Sequence, residues 1–236
     1  MTTLTQHPLI VPARTHAADT AVSRPRDVLA MLRHSTLPDA PPPGLIVLSG
    51  SVAVYRLGLC AAADHAAAGD TVLYVAGANV FDPFLIGRLA RACRMAPSRV
   101  LQRIHVSRAF TCHQMARLVT DCLESAIRRY EARRVILSGP LETLYDESVS
   151  DQEAARLFRA MLAALQRLAQ LDVGILCVSP LPAAAPGARR GFLAALRAHA
   201  HRAVDVREID EGIRLDEQKA DDSTGWTIPR SVWNRL

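Results

Sequence analysis

The sequence predicts an α/β protein with a mostly parallel central sheet, helices covering both of its faces, and a C-terminal β-hairpin. Three observations predict it. Short apolar runs of β type alternate with longer helical runs along most of the chain, the pattern of strands joined by crossover helices. Leu45-Ile46-Val47-Leu48 and Gly174-Ile175-Leu176-Cys177-Val178 are apolar without alternation, as strands buried on both faces require. Two short runs near the end are separated by Asp210-Glu211-Gly212, which reads as a hairpin turn.

Taken in order, residues 1–24 show no apolar period and read as an arm that docks a partner or moves freely. Residues 26–34 place Val28, Leu29, Met31 and Leu32 on one face of a short helix, which Pro38, Pro41, Pro42 and Pro43 end. The boundary therefore falls at residue 43, with an arm, helix and linker over 1–43, a core domain over 44–218 and a tail over 219–236 that this reading cannot place. Within the core the strands are expected at 45–49, 71–76, 100–106, 134–138 and 173–179, and the helices at 56–68, 83–95, 111–130 and 151–170. A helix at 191–201 and hairpin strands at 203–207 and 212–216 complete it.

Composition narrows the class of function. Half of the 236 residues are hydrophobic and 5% aromatic, so the core is built from Ala, Leu and Val, and a disordered chain is excluded. Cys60, Cys93, Cys112, Cys122 and Cys177 form no C-x-x-C pair and read as reduced core thiols. No basic stretch followed by an apolar one opens the chain, and no apolar run reaches the roughly 18 residues of a membrane span, so a cytoplasmic protein without membrane contact is expected. The net charge of +5 permits a nucleic-acid partner without requiring one. His199 and His201 stand two apart on a helix and face different ways, which does not suit a metal. G-x-S-x-G and G-x-G-x-x-G are absent, which removes the nucleophile elbow and the dinucleotide fingerprint.

One stretch carries a more specific signal. Arg108-Ala109-Phe110 followed by His113-Gln114 after a strand, preceded upstream by Tyr74 to Pro83 with its Phe81-Asp82-Pro83 turn, resembles the eukaryotic and archaeal branch of the RecA-like recombinases. Val135 to Tyr145 resembles that family's Walker B strand and its Leu-Tyr end, and the likeness spans residues 44–216. The resemblance implies a RecA-like core. It also implies a phosphate loop of the form G-x-x-x-x-G-K-[ST], whose backbone N–H groups cradle phosphates while Lys and hydroxyl hold phosphate and Mg²⁺.

The matching residues are Gly50, Ser51, Val52, Ala53, Val54, Tyr55, Arg56 and Leu57, of which only the first Gly fits. Tyr55 replaces a permissive glycine, Arg56 replaces the compact ammonium, and Leu57 offers no oxygen to a metal. By the same resemblance Ala78 stands at the catalytic Glu, Gly139 at the Walker B Asp, and Pro180-Leu181 at the Asn-Gln sensor. A degenerate ATPase follows, with no nucleotide, metal or other cofactor expected. The expected role is an accessory, mediator or scaffold in DNA recombination or repair, bound to a recombinase, polymerase or other repair protein, with an oligomer also open.

Alternatives stay open at this point: an ATPase with divergent motifs, distinguished by an acid reaching the 50–56 loop, or an interaction scaffold unrelated to DNA. Weak contact with single-stranded DNA is expected at Arg189, Arg190, Arg197 and Arg202, in the region of the family's second DNA loop, ahead of any role for Arg128 and Arg129. The segment 146–152, matching the first DNA loop, is acidic and opposes it. Ile10-Val11-Pro12-Ala13 is an imperfect version of the linker Phe-x-x-Ala that docks on a neighbouring subunit's sheet edge in active recombinases. The parallel order should also bring Ser49-Gly50, Ala76-Gly77 and Ser138-Gly139 to one carboxyl edge around an apolar, uncharged hollow.

Overall fold

The computed structural model describes residues 44–77, 79–182, 187–218 and 223–236. The arm, helix and linker expected over 1–43 lie outside the described residues, as does Ala78. The strands are β1 (Gly44–Gly50), β2 (Val72–Ala76), β3 (Ile104–Arg108), β4 (Arg134–Ser138), β5 (Gly174–Pro180), β6 (Arg202–Ile209), β7 (Gly212–Gln218) and β8 (Ser223–Pro229). They form one sheet in the order β3-β2-β4-β5-β1-β6-β7-β8. The pairings from β3 through β6 are parallel, and β7 and β8 add antiparallel. The helices are α1 (Ala53–Ala68), α2 (Pro83–Ala92), α3 (Pro97–Leu101), α4 (Cys112–Arg117), α5 (Leu123–Tyr130), α6 (Asp151–Leu168), α7 (Gly191–Ala198) and α8 (Arg230–Trp233).

Two-sided burial explains the unbroken apolar strands. In β1, Ile46 and Leu48 pack with α1, α2 and α8, whereas Leu45 and Val47 pack with α4 to α7. In β5, Leu176 and Val178 face the first layer, and Ile175 and Cys177 face the second. Strand alternation thus splits each run between two cores. Helix α1 is buried along most of its length, and Gly58 lets it lie close on the sheet, where an added methyl would stand 3.2 Å from both Cγ atoms of Val178. Among the described residues no helix is long and apolar enough to cross a membrane.

Local chemistry sets the helix starts. Asp82 caps α2 by accepting from Phe84 N at 2.8 Å and Leu85 N at 3.0 Å, with Pro83 as the first helical residue. Thr111 caps α4 by accepting from Gln114 N, and the Gln114 side chain accepts from Phe110 N at 2.8 Å. The Phe110 to Gln114 string that carries the family resemblance therefore also serves as a helix cap.

Three expectations change. The strand expected at 100–106 is the end of α3 followed by β3, because Pro97 starts a helical turn that carries Val100 into the core. The helix expected at 111–130 is interrupted by a π turn (Leu118–Cys122), where the Thr120 hydroxyl donates to the Ala116 carbonyl at 2.9 Å. Of the tail set apart at 219–236, residues 223–236 are part of the domain: β8 pairs with β7, and Ile228, Val232 and Leu236 enter the core beside α1 and α2.

Candidate functional site

In a parallel sheet every strand points its carboxyl end to one edge, and ligand sites gather there. Here Ala76 pairs with Ser138, Ser138 with Val178, and Ser49 with Ser179, so the ends of β2, β4, β5 and β1 form a row with β5 between β4 and β1. Gly77 N donates to the Ser138 carbonyl at 2.7 Å, and Gly139 N donates to the Val178 carbonyl at 2.8 Å. Gly139 has φ +66° and Gly50 φ +134°. A side chain at Gly50 would strike the Val206 carbonyl oxygen, the same group that accepts from Ser51 N at 2.8 Å. Gly50 is thus required by the close approach of β1 to β6.

The segment expected to be a failed phosphate loop has no loop. Only Ser51 and Val52 separate β1 from α1, so Tyr55, Arg56 and Leu57 all lie inside the helix. Leu57 is in the core, and Tyr55 packs against it. The Arg56 guanidinium donates to the Trp233 carbonyl at 3.2 Å and stands 5.0 Å from the centre of the Trp233 ring. The positive charge is occupied by the C-terminal helix. Leu181, expected from the resemblance to stand at a sensor position, is an apolar side chain, 66% exposed, and its backbone N–H donates to the Gly50 carbonyl at 2.8 Å.

A charged hollow lies at the β1 end of this edge, where β1 meets β6 and β7, and its lining does not include Ala76, Gly77, Ser138 or Gly139. It measures about 740 Å³ and is lined on one side by Gly50, Ser51 and Leu181 and on the other by Asp205, Arg207, Glu208 and Asp216. Two of the acids are already held. Asp205 accepts from Arg197 at 2.6 and 3.0 Å, and Asp216 accepts from Arg214 at 2.8 Å and also from Arg207. The arginines beside Asp216 hold its carboxyl below the ordinary range although burial opposes them.

The expected DNA surface comes apart in the fold. Arg189 is 3% exposed: its Nε donates to Asp151 at 2.7 Å, and its other nitrogens donate to the carbonyls of Leu144 (2.8 Å), Asp146 (2.7 Å) and Val149. It clamps the loop that was expected to be the acidic first DNA loop. Arg197 binds Ser49 as well as Asp205, and Arg202 forms a bidentate pair with the buried Glu217, both bonds at 2.6 Å. Arg190 is exposed. Arg189, Arg197 and Arg202, all expected to meet phosphate, are therefore committed to internal acceptors, partners that charge counting along a sequence does not reveal.

The remaining titratable groups belong to the core or its edges. Burial pushes the Cys60 and Cys177 thiols up to about 12, which suits inert core residues. Glu142, in the 3-10 turn after β4 (Glu142–Tyr145), is raised to about 7 by burial, and its Oε1 has no hydrogen-bond partner among the described residues. No group of three or more His, Cys, Asp or Glu able to hold a metal occurs among the described residues. At the other edge stands a set of exposed arginines, in which the sequence reading ranked Arg128 and Arg129 low and passed over Arg103 and Arg133. Net charge counted by segment, not over the whole chain, is the signal that finds them. No known protein family's profile matches the chain, and no curated protein sequence matches it.

Proposed function

We propose that this chain is a non-catalytic, RecA-like accessory protein of DNA recombination or repair, working through a protein partner such as a recombinase or polymerase. The observation that carries the non-catalytic part is the start of α1 at Ala53. A phosphate site of this kind needs a run of backbone N–H groups curved around the anion, and here the corresponding groups already have acceptors: Ser51 N donates to the Val206 carbonyl, Ala53 N to the Ser51 hydroxyl, and Val54 N and Tyr55 N to the Ser51 and Val52 carbonyls. Arg56 is drawn to Trp233, and Leu57 is packed inside.

Support for a protein partner comes from β3. It is an edge strand with Val106, Ser107 and Arg108 exposed. Beside it lies a pocket of about 320 Å³ lined by Ile104, His105, Leu118, Cys122 and Tyr130 among others. A strand edge with no neighbour among the described residues, next to a pocket of mixed polar and apolar lining, is suited to accept an added strand. The same recombinase resemblance assigns such an edge to a docking linker.

Isothermal titration with ATP and Mg²⁺, paired with a phosphate-release assay, tests the central claim. Neither binding nor turnover is expected. A second reading, an ATPase with divergent motifs, draws on Asp205, Glu208 and Asp216 lining the hollow beside Gly50 and Ser51. Micromolar nucleotide binding, or turnover lost in Arg56→Ala, would establish that reading and overturn the first.

A further inference from the structure

Segment 79–134 holds eleven arginines, no lysine and four acids, a net +7 against +5 for the whole chain, which leaves the other 180 residues at −2. It builds α2, α3, β3, α4 and α5, the β3 end of the sheet. The charge of the protein is therefore polarised along the sheet, and this end carries more than all of the excess.

The topology concentrates it further. In a parallel sheet each helix leaves the carboxyl edge and returns to the amino edge, so the last turns of α2, α3 and α5 meet beside the starts of β3 and β4. Those turns carry Arg91, Arg99, Arg128 and Arg129. Ile104, Val72 and Arg134 stand in register across β3, β2 and β4, which sets Arg103 and Arg133, one residue earlier, about 10 Å apart by the usual strand spacing. All six are exposed.

The acids at this edge are few. Glu124 pairs with Arg128 at 2.7 Å, Asp70 is engaged by Arg134 and His65, each at 3.3 Å, and Glu131 is exposed, as is Asp172, which stands two residues before Gly174 of β5. Arg103 donates to the Gly69 carbonyl at 2.6 Å. Arg91, Arg99, Arg129 and Arg133 have no ion-pair partner among the described residues. A ring stack accompanies the charge. Tyr130, the last residue of α5, is exposed and stacks on His105 with centroids 4.0 Å apart, and the Arg129 guanidinium stands 5.4 Å from the Tyr130 ring.

We infer that this amino edge, framed by Arg103, Arg128, Arg129 and Arg133, binds single-stranded nucleic acid, with the arginines on phosphates and the Tyr130 stack offering a plane to a base. Cations at helix C-termini are favoured by the helix dipole, which accounts for Arg91, Arg99 and Arg128. It does not account for Arg94, Arg103 and Arg133, which lie in the connections outside the helices. An acidic protein would be served by the charges alone, whereas flat rings and guanidinium beside them suit unstacked bases. The inference reverses the ranking expected from sequence, in which Arg189 and Arg190 led. It rests on charge and ring geometry and does not depend on the nucleotide titration, whose failure would leave it standing.

Fluorescence anisotropy of the full chain with labelled oligo(dT) across a salt series tests it. Engaging roughly four phosphates on a single strand gives a log–log salt slope of about −3. Arg129→Ala/Arg133→Ala should lower that slope by roughly 1 to 1.5 and weaken binding about tenfold at low salt. The control pair Arg156→Ala/Arg159→Ala, exposed on α6 and equal in charge removed, should change affinity by about twofold or less. Tyr130→Leu should weaken binding with the slope unchanged. Absence of binding at low salt, equal losses in both arginine pairs, or competition by duplex DNA or polyglutamate as strong as by the single strand would each overturn the inference.

Discussion

Arg189→Ala separates a structural arginine from a phosphate-binding one. The guanidinium is 3% exposed and donates to the Asp151 carboxylate and to three carbonyls between residues 144 and 149. Truncation removes these bonds together and leaves the Leu144 carbonyl with a buried lone pair and no donor. Breaking one side of a buried, hydrogen-bonded ion pair costs about 3–5 kcal/mol. The Asp151 side chain is 54% exposed and rehydrates, so the low end, about 3 kcal/mol, is the appropriate figure. For a chain of this length that lowers the melting temperature by roughly 6–12 °C. Arg189→Lys keeps the charge but only one or two of the bonds, and should recover about half of the loss. Urea denaturation followed by circular dichroism measures the cost, and oligo(dT) anisotropy on the folded variant measures DNA affinity. A loss below about 1 kcal/mol accompanied by weakened DNA binding would refute the clamp and restore Arg189 to the DNA surface.

Two further outcomes follow from groups in the same fold. His65 is 5% exposed and held near 4, first by burial and then by Arg134, against about 6.5 in an unfolded chain. Its depressed value means stability is intact above about pH 6.5 and falls by roughly 3 kcal/mol as the pH drops toward 4. Glu142, raised to about 7, acts in the opposite sense, its folded form gaining stability as the pH falls through that value. The acid loss should therefore be steeper in Glu142→Gln and shallower in His65→Gln, and parallel pH curves for the two would contradict the assignment. At the β1 end, Gly50→Ala puts a methyl against the Val206 carbonyl at φ +134°, whereas Gly69→Ala, at φ +106°, meets open space. The first should cost about 2–4 kcal/mol and the second about 1 kcal/mol in chemical denaturation, and equal costs would show that β1 does not lie tightly on β6.

Much of the architecture is legible in the chain because two-sided burial writes itself into consecutive residues. The runs that form β1, β4 and β5 are apolar without alternation through their middles, with polar residues only toward their ends, and the helices between them repeat their apolar residues at helical spacing. Residues whose environment is set by distant partners are less legible. Val100 looks like the start of a strand until Pro97 is seen to begin a helical turn, and residues 223–236 lack a period of their own because β8 is completed by β7. At the carboxyl edge, Leu57 and Tyr55 are readable as poor phosphate-site residues. The absence of any loop there becomes visible only once α1 is seen to start at Ala53.

The sequence by itself determined the order of most core elements, the mostly parallel sheet with its C-terminal hairpin, and the absence of a lysine and of a metal-binding oxygen at positions 55–57 other than the Tyr55 phenol, since each depends on residue type at a local spacing. The tertiary structure alone decided which arginines are free to meet a ligand. Arg189 finds its acceptors 38 to 45 residues away, and Arg197 reaches Ser49 across 148. In contrast, Arg133 and Arg103, the latter exposed although one of its nitrogens donates to the Gly69 carbonyl, are brought to one edge by strands that are not neighbours in the chain. A guanidinium carries the same charge wherever it sits, and its availability depends on whether folding supplies an acceptor or leaves it facing water.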